Sequence, residues 1–283
     1  MHPKHTSIIG IHSQPVRDID ITAHNGGLAL TTSCDGSTKI TCLISDSVVM
    51  QYPMKMAGWS CAWDPHDTNY MYVGGTLGKT LQFDLRQTRG YLNVFQNDPP
   101  TPIHSVVALK QATTRLLSGS FARIGNWSSL STITSTSEML PLPFTGTALC
   151  LSSNALLCNH ILVSSRNSSA TGVATHAVMD ISDPAVPLHT WSGHRVPIAL
   201  SRSCLWTLPS KEMIVASGND KDKTVSFWTP SAPEPVFRLQ TGSTPILDVQ
   251  HVVPYTTWDG NNTAFLGALS CTELQLFQYR AVK

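Results

Sequence analysis

The chain has 283 residues, 41% hydrophobic and 13% charged, with a formal net charge of +1. That length sustains a large core in one or two domains. The near-neutral balance excludes a surface dominated by one sign of charge, the kind that holds nucleic acid or anionic lipid broadly, and sequence-specific nucleic-acid binding is not expected.

The seven cysteines include no C-x2-C pair, so they offer no finger- or RING-type zinc site. Reduced thiols, no metal and no cofactor are expected. No apolar run follows Met1–Thr6, as a secretory signal requires. The most apolar stretch, 148–163, is broken by Ser152, Ser153, Asn154, Asn159 and His160, too polar to span a bilayer.

In chain order, a first short strand is predicted at Thr6–Ile11. Pro15 then opens an alternating run, Val16–Ile21. A strand ending in small residues follows at Leu30–Ser33, then strands at Thr38–Leu43 and Ser47–Tyr52. The set repeats after Gly58 as Trp59–Trp63, Tyr72–Gly75, Thr80–Phe83 and Tyr91–Phe95. After Pro102 it reads Ile103–Leu109, Leu116–Gly119 and Ile124–Trp127. After Gly146 come Thr147–Leu151, Leu162–Ser165, His176–Ile181 and Leu188–Trp191. Pro197 leads Ile198–Leu200, Val215–Gly218, Thr224–Trp228 and Val236–Leu239. Pro245 leads Ile246–Val249, Phe265–Ala268 and Leu274–Phe277.

The opening residues are spaced by 43, 44, 44, 51 and 48 positions. A period near 45 built of short strands fits four-stranded blades, each covering its apolar faces against neighbours. The expected fold is therefore all-β, a β-propeller spanning 1–283 as one domain with six visible blades. Two closures stay open. Either six blades complete the ring, with Thr6–Ile11 as closing strand, or the chain is part of a seven-bladed ring.

A degenerate WD signature accompanies the repeat. His12 precedes the first strand, Ser33 is followed by Asp35-Gly36, His194 follows Gly193, and Ser217 precedes Trp228. The WD-repeat resemblance implies that His12, Ser33, Asp35, His194, Ser217 and Trp228 form the hydrogen-bonded networks that pin blades, a structural role.

One stretch is more specific. Trp59-Ser60-Cys61-x-Trp63, then Asn69-Tyr70-x-Tyr72, Gly74, Gly78 and Asp84-x-Arg86, resembles the C-terminal WD domain of the RING-finger and WD-repeat ubiquitin ligase that acts with replication protein A. Ser33-x-Asp35, Thr38-x-Ile40 and Val48-Val49 extend the match upstream; Leu117–Gly119 and Ile246–Asp248 extend it downstream. The resemblance implies a partner- or substrate-recruiting module in replication-stress and crosslink-repair signalling. It places the protein in the nucleus, with the cytoplasm open as a second location. The family's RING and coiled coil are not in this sequence, so no ubiquitin transfer is expected of this chain alone.

No catalytic residue is identified. Gly74–Thr80 is one residue short of a phosphate-binding loop, and a strand follows where that loop needs a helix. Binding is the default for a propeller, whose loops gather at the ends of the ring. Arg17, Trp59, His104 and Arg195 fall near the starts of first strands and are the candidate partner-binding residues. For Trp59 the plainer reading is packing between blades, for Arg17 and Arg195 a solvated charge or local ion pair, and for His104 an ordinary strand residue. Asp84 and Arg86 have a second reading, since a strand ending in aromatic-Asp-x-Arg resembles the box by which WD receptors dock on the adaptor of cullin-4 ligases. A local Asp84–Arg86 contact and a scaffold unconnected with ubiquitin are the remaining alternatives.

Overall fold

Runs in which aliphatic, aromatic and β-branched residues alternate with small polar ones settle as strands, and polar turns fold successive strands antiparallel. The computed structural model describes residues 10–22, 27–128, 136–140, 146–154, 158–167, 172–195, 201–208, 210–242, 245–252 and 263–280. Six antiparallel sheets follow one another along the chain, each a meander in sequence order, as in propeller blades. The chain divides into two compact units, residues 1–140 and 141–283, and each holds three blades. No helix among the described residues is long and apolar enough to cross a membrane.

In the first unit, blade one comprises β1 (Val16–Ile21), β2 (Leu28–Ser33), β3 (Ser37–Cys42) and β4 (Ser47–Pro53). Blade two comprises β5 (Gly58–Trp63), β6 (Tyr70–Gly75), β7 (Lys79–Asp84) and β8 (Asn93–Gln96). Blade three comprises β9 (Ile103–Lys110), β10 (Thr114–Ser120), β11 (Ile124–Ser128) and β12 (Thr136–Leu140). In the second unit, blade four comprises β13 (Gly146–Ser153), β14 (His160–Asn167), β15 (Val173–Asp180) and β16 (His189–Arg195). Blade five comprises β17 (Cys204–Thr207), β18 (Met213–Asn219), β19 (Thr224–Trp228) and β20 (Phe237–Gln240). Blade six shows β21 (Ile246–Val252), β22 (Thr263–Ser270) and β23 (Leu274–Arg280) among the described residues.

Several expectations are corrected. The first described strand of blade five is Cys204–Thr207, and the strand expected at Ile198–Leu200 lies outside the described residues. The strand β12 has no counterpart in the sequence reading. Residues 6–9 lie outside the described residues, and Gly10 and Ile11 are not in a strand. The segment resembling a phosphate loop is, as expected, a turn between two blade strands: a single 3-10 turn at Thr76–Gly78 leading into β7, with Leu77 left-handed at φ 64.

Within each unit, the start of one blade inserts into the small-residue strand end of a blade before it, between blades two and three and between blades five and six. A Cβ on Gly74 would lie 2.6 Å from Ile103 Cγ2, and one on Gly218 would lie 2.5 Å from Ile246 Cβ. Gly-Gly and Ser-Gly endings are therefore seats for the branched residue that opens the next blade. Around the first seat, Ala62, Tyr72, Phe95, Ile103, Leu116 and Trp127 share one buried cluster. Polar stitches cross the same seams. Asp18 Oδ2 accepts the Cys61 N–H at 2.9 Å, Asp20 Oδ2 accepts the Trp63 N–H at 2.8 Å, and Ser60 Oγ donates to the Ile103 carbonyl at 2.9 Å.

Candidate partner-binding site

Each first strand of the first unit carries one residue more than the strand beside it, close to its start. Val16 and Asp18 pair with Ser33 and Thr32, which leaves Arg17 extra. Gly58 and Ser60 pair with Gly75 and Gly74, which leaves Trp59 extra. Ile103 and Ser105 pair with Ser120 and Gly119, which leaves His104 extra. A bulge residue leaves the ladder, and its side chain is re-aimed. The device recurs in the second unit at Leu149 and Leu247.

The three bulge residues of the first unit line up. The Arg17 guanidinium carbon stands 4.5 Å from the Trp59 ring centroid. Trp59 meets Phe121 edge to face, with centroids 6.4 Å apart and an interplanar angle of 88°. Phe121 lies 5.1 Å from the His104 ring. Arg17 is exposed, Trp59 and Phe121 are half-buried, and His104 is buried with Nδ1 2.9 Å from Ser105 Oγ. The strip thus runs from a solvent-facing cation across two aromatic rings to a buried imidazole. Sequence reasoning passes over Phe121. Its signal is its place directly after the Leu117–Ser120 strand end that pairs with the start of β9.

Arg195 does not join this row. It ends β16 opposite Val173, and its side chain lies outside the described residues. In blade five, Ser203 Oγ donates to Ser217 Oγ at 3.0 Å, so the residue matching the other bulges is Arg202. Arg202 stands 3.9 Å from Asp248 Oδ2. Counting back from Val215 the 14 positions that separate Gly58 from Tyr72 lands on Ser201, beside it.

Asp84 and Arg86 meet each other. Arg86 Nε donates to Asp84 Oδ1 at 2.8 Å and Nη2 to Asp84 Oδ2 at 2.8 Å, while Nη2 also donates to Tyr70 Oη at 2.9 Å. The guanidinium carbon lies 5.2 Å from the Tyr70 ring centroid. The Arg86 fork holds the Asp84 carboxyl below its usual range, against a smaller opposing effect of burial. The arginine thus grips a carboxylate of its own blade.

The WD-type residues fall into three groups. In blade one, Asp35 Oδ2 takes His12 Nδ1 at 2.9 Å, and Asp35 Oδ1 accepts Ser37 Oγ at 2.7 Å and the Ser37 N–H at 3.0 Å. His12 Nε2 lies 2.9 Å from Thr31 Oγ1. Burial pushes the Asp35 carboxyl up, but donors from Ser37, His12 and Ser13 together carry it far below the usual range. Ser33 stands beside this network, donating to the Gln14 carbonyl at 3.0 Å and accepting the Asp35 N–H at 3.1 Å. In blade three, Asn97 takes the place of a histidine. Its Oδ1 accepts Ser118 Oγ at 2.7 Å, its Nδ2 donates to the Ser118 carbonyl at 3.0 Å, and Trp127 Nε1 donates to Ser118 Oγ at 3.1 Å. Neither Thr31, Ser37 nor the Asn97–Ser118–Trp127 set is read from the sequence.

The second unit is different. His176 Nδ1 lies 2.9 Å from Ser164 Oγ, and its ring stands 5.0 Å from that of Trp228. Burial, with a smaller contribution from neighbouring His194, pushes His176 down to about 3. Burial pushes His194 down to about 4, opposed by Asp222. Both imidazoles are therefore neutral near pH 7. Ser217 accepts from Ser203, and Trp228 Nε1 meets no hydrogen-bond donor or acceptor among the described residues. The three WD-type residues expected here, His194, Ser217 and Trp228, are not joined by the bonds that organise blades one and three.

Blades opened by bulged first strands and pinned by His–Asp–Thr and Asn–Ser–Trp networks define a WD-repeat β-propeller. The family model described as the E3 ubiquitin-protein ligase RFWD3 WD40 domain matches residues 1–278, and the chain belongs to that family. The chain is 22% identical to the E3 ubiquitin-protein ligase RFWD3 of Mus musculus and to that of Homo sapiens, with 98% of this chain aligned. The same identity and coverage hold for RFWD3 of Ailuropoda melanoleuca. The chain spans 37% of the length of these relatives.

Proposed function

We propose that this chain is the partner-recruiting module of a RING-type E3 ubiquitin-protein ligase. Its setting is replication-stress and crosslink-repair signalling in the nucleus, and the partner it seats is replication protein A. The observation that carries the reading is membership of the RFWD3 WD40-domain family across residues 1–278. The bulge strip of Arg17, Trp59 and His104 supports it, because Arg and Trp are the side chains that most often dominate binding energy at protein interfaces. In this reading the chain supplies recognition, and ubiquitin transfer depends on a RING segment.

The test is capture of purified replication protein A by the purified chain. Specific, saturable capture is the expected result. No capture by a chain whose far-ultraviolet circular dichroism and cooperative melting report a folded β protein would overturn the choice of partner. In a reconstituted ubiquitination reaction the chain alone is expected to build no ubiquitin chains; chain formation would show a catalytic element in these residues.

A further inference from the structure

The fourth strand of blade one differs from the other described fourth strands. β4 has seven residues, Ser47–Pro53, and none is charged. β8 is also uncharged but has only four residues, β12 carries Glu138, β16 ends in Arg195 and β20 carries Arg238. A charge on an edge strand discourages pairing with another chain, because it loses water when a second strand closes over it. β4 lacks that protection.

The edge is open and already held in shape. β4 pairs with β3 on one side and with no strand among the described residues on the other. The Met54 N–H turns inward to the Gly36 carbonyl, so the alternation of an antiparallel ladder turns the N–H and C=O of Gln51 outward. Tyr52 is fully buried, its ring 4.9 Å from that of Phe83 and its Oη 3.2 Å from the Asp84 carbonyl, which ties the strand to blade two. Val48 and Val49 are nevertheless 40% and 54% exposed, and Leu43 and Ile44 in the turn before them are 41% and 88% exposed.

Charge indicates what covers this edge. The uncharged run 47–54 is bounded by exposed Asp46 at one end and by exposed Lys55 at the other. Two copies laid antiparallel about a two-fold axis bring the Asp46 end of each strand beside the Lys55 end of the other, and no charged residue lies between those ends. A copy laid parallel would set Asp46 beside Asp46 and Lys55 beside Lys55.

We infer that two copies of this chain pair edge to edge and antiparallel through β4, with Val48, Val49, Leu43 and Ile44 covered at the seam. Two features keep the pair weak. Pro53 has no N–H to donate, and Val49 is a bulge residue, left extra where Ile40 pairs with Met50 and Thr41 with Val48. A contact of one edge strand and its flanking turns belongs with the weak interfaces, those below about 1,200 Å² in total, so association falls in the micromolar range or above. In the order β1-β2-β3-β4 the seam lies at the opposite edge of the sheet from β1. Pairing therefore joins two recruiting modules without engaging the strand that begins the bulge strip.

The test is sedimentation velocity of the full chain from low micromolar to near-millimolar concentration. The weight-average mass is expected to rise from that of one chain toward that of two and no further. Val49→Lys, which puts a charge into the seam, should weaken the association about tenfold or more. Asp46→Lys and Lys55→Asp should each weaken it, and the double exchange of both should restore it, an outcome that a purely local role of either residue does not give. Melting curves report the folding of every variant, and the charge exchange decides the matter if Val49→Lys does not fold. A single-chain mass throughout the range would overturn the pairing and leave the edge to a different partner. Growth past two chains would overturn it too, since a closed two-fold contact stops at a pair. So would a folded Val49→Lys that associates as the parent does, or a double exchange no tighter than the single variants.

Discussion

Gly74 and Ile103 occupy one space. A methyl group on Gly74 would lie 2.6 Å from Ile103 Cγ2 and equally close to Ser60 Oγ, which itself donates to the Ile103 carbonyl. The neighbours are a fully buried branched side chain and a hydrogen-bonded hydroxyl, so little can yield. Gly74→Ala is therefore expected to destabilise the chain by about 1 to 3 kcal/mol, the range for overpacking a close-packed interior. Gly218→Ala, 2.5 Å from Ile246 Cβ, should behave likewise. At Gly267 the nearest atom to an added Cβ is 3.6 Å away, so Gly267→Ala should stay within about 0.5 kcal/mol. Chemical denaturation of the three variants checks the contrast, and equal effects would refute the seating model.

Asp35 gathers four donors from three residues, and His12 depends on it for one ring nitrogen. Asp35→Ala strips an acceptor from a half-buried network and should cost about 2 to 3 kcal/mol. The pH dependence has a definite sign. The folded carboxyl sits below its unfolded value of about 3.9, so its contribution is complete above that value and is lost as pH falls through and below it. The stability gap between the parent chain and Asp35→Ala should be widest near neutral pH and should narrow below about pH 4. Melting temperatures between neutral and acid pH measure it, and a gap that is constant with pH would mean the charge of Asp35 is not what holds the network.

Asp20 runs the other way. Burial between blades one and two raises its carboxyl to about 6, against the Trp63 N–H bond that lowers it and with Asp18 adding to the rise. A carboxyl raised above its unfolded value makes the fold less stable as pH climbs from about 4 through 6, because the folded form resists giving up the proton. Asp20→Asn keeps an oxygen for the Trp63 N–H without the charge. It should be more stable than the parent by on the order of 1 kcal/mol at neutral pH and nearly equal to it near pH 4. A variant less stable than the parent at neutral pH would show that the ionised carboxylate is the better clamp.

What the sequence discloses of this fold follows from what repeats. Strand ends such as Tyr72–Gly75 and Val215–Gly218 are legible because their small residues answer the same packing demand, at the seam between blades two and three and at that between blades five and six. The bulge positions Arg17, Trp59 and His104 are legible because each falls one or two positions after its Pro or Gly opener, before the strand has drifted in length. Arg195 does not follow this rule, since it stands two positions before Pro197; the first described strand of blade five is Cys204–Thr207, and the matching position is Arg202. Thr31, Ser37 and Asn97 were hidden for a different reason. Each network is satisfied by geometry, and a threonine, serine or asparagine at the right distance serves as well as the signature residue. Phe121 was hidden because contact across blades, not spacing along one, places it between Trp59 and His104.

Trp127 and Trp228 are both buried at matching places on third strands, but only one is tied. Trp127 Nε1 donates to Ser118 Oγ, whereas Trp228 Nε1 finds no hydrogen-bond donor or acceptor among the described residues. Replacing either by Phe removes similar volume and, for Trp127 alone, a hydrogen bond, so that Ser118 Oγ loses one donor while its bond to Asn97 remains. Trp127→Phe should therefore cost about 1 kcal/mol more than Trp228→Phe. The attribution is checked by coupling. Trp127→Phe and Ser118→Ala should combine non-additively by at least about 0.5 kcal/mol, while Trp228→Phe and Ser217→Ala should add within experimental error. If the second pair couples as strongly as the first, Trp228 is bonded through Ser217 after all, and the WD network of blade five resembles that of blade three.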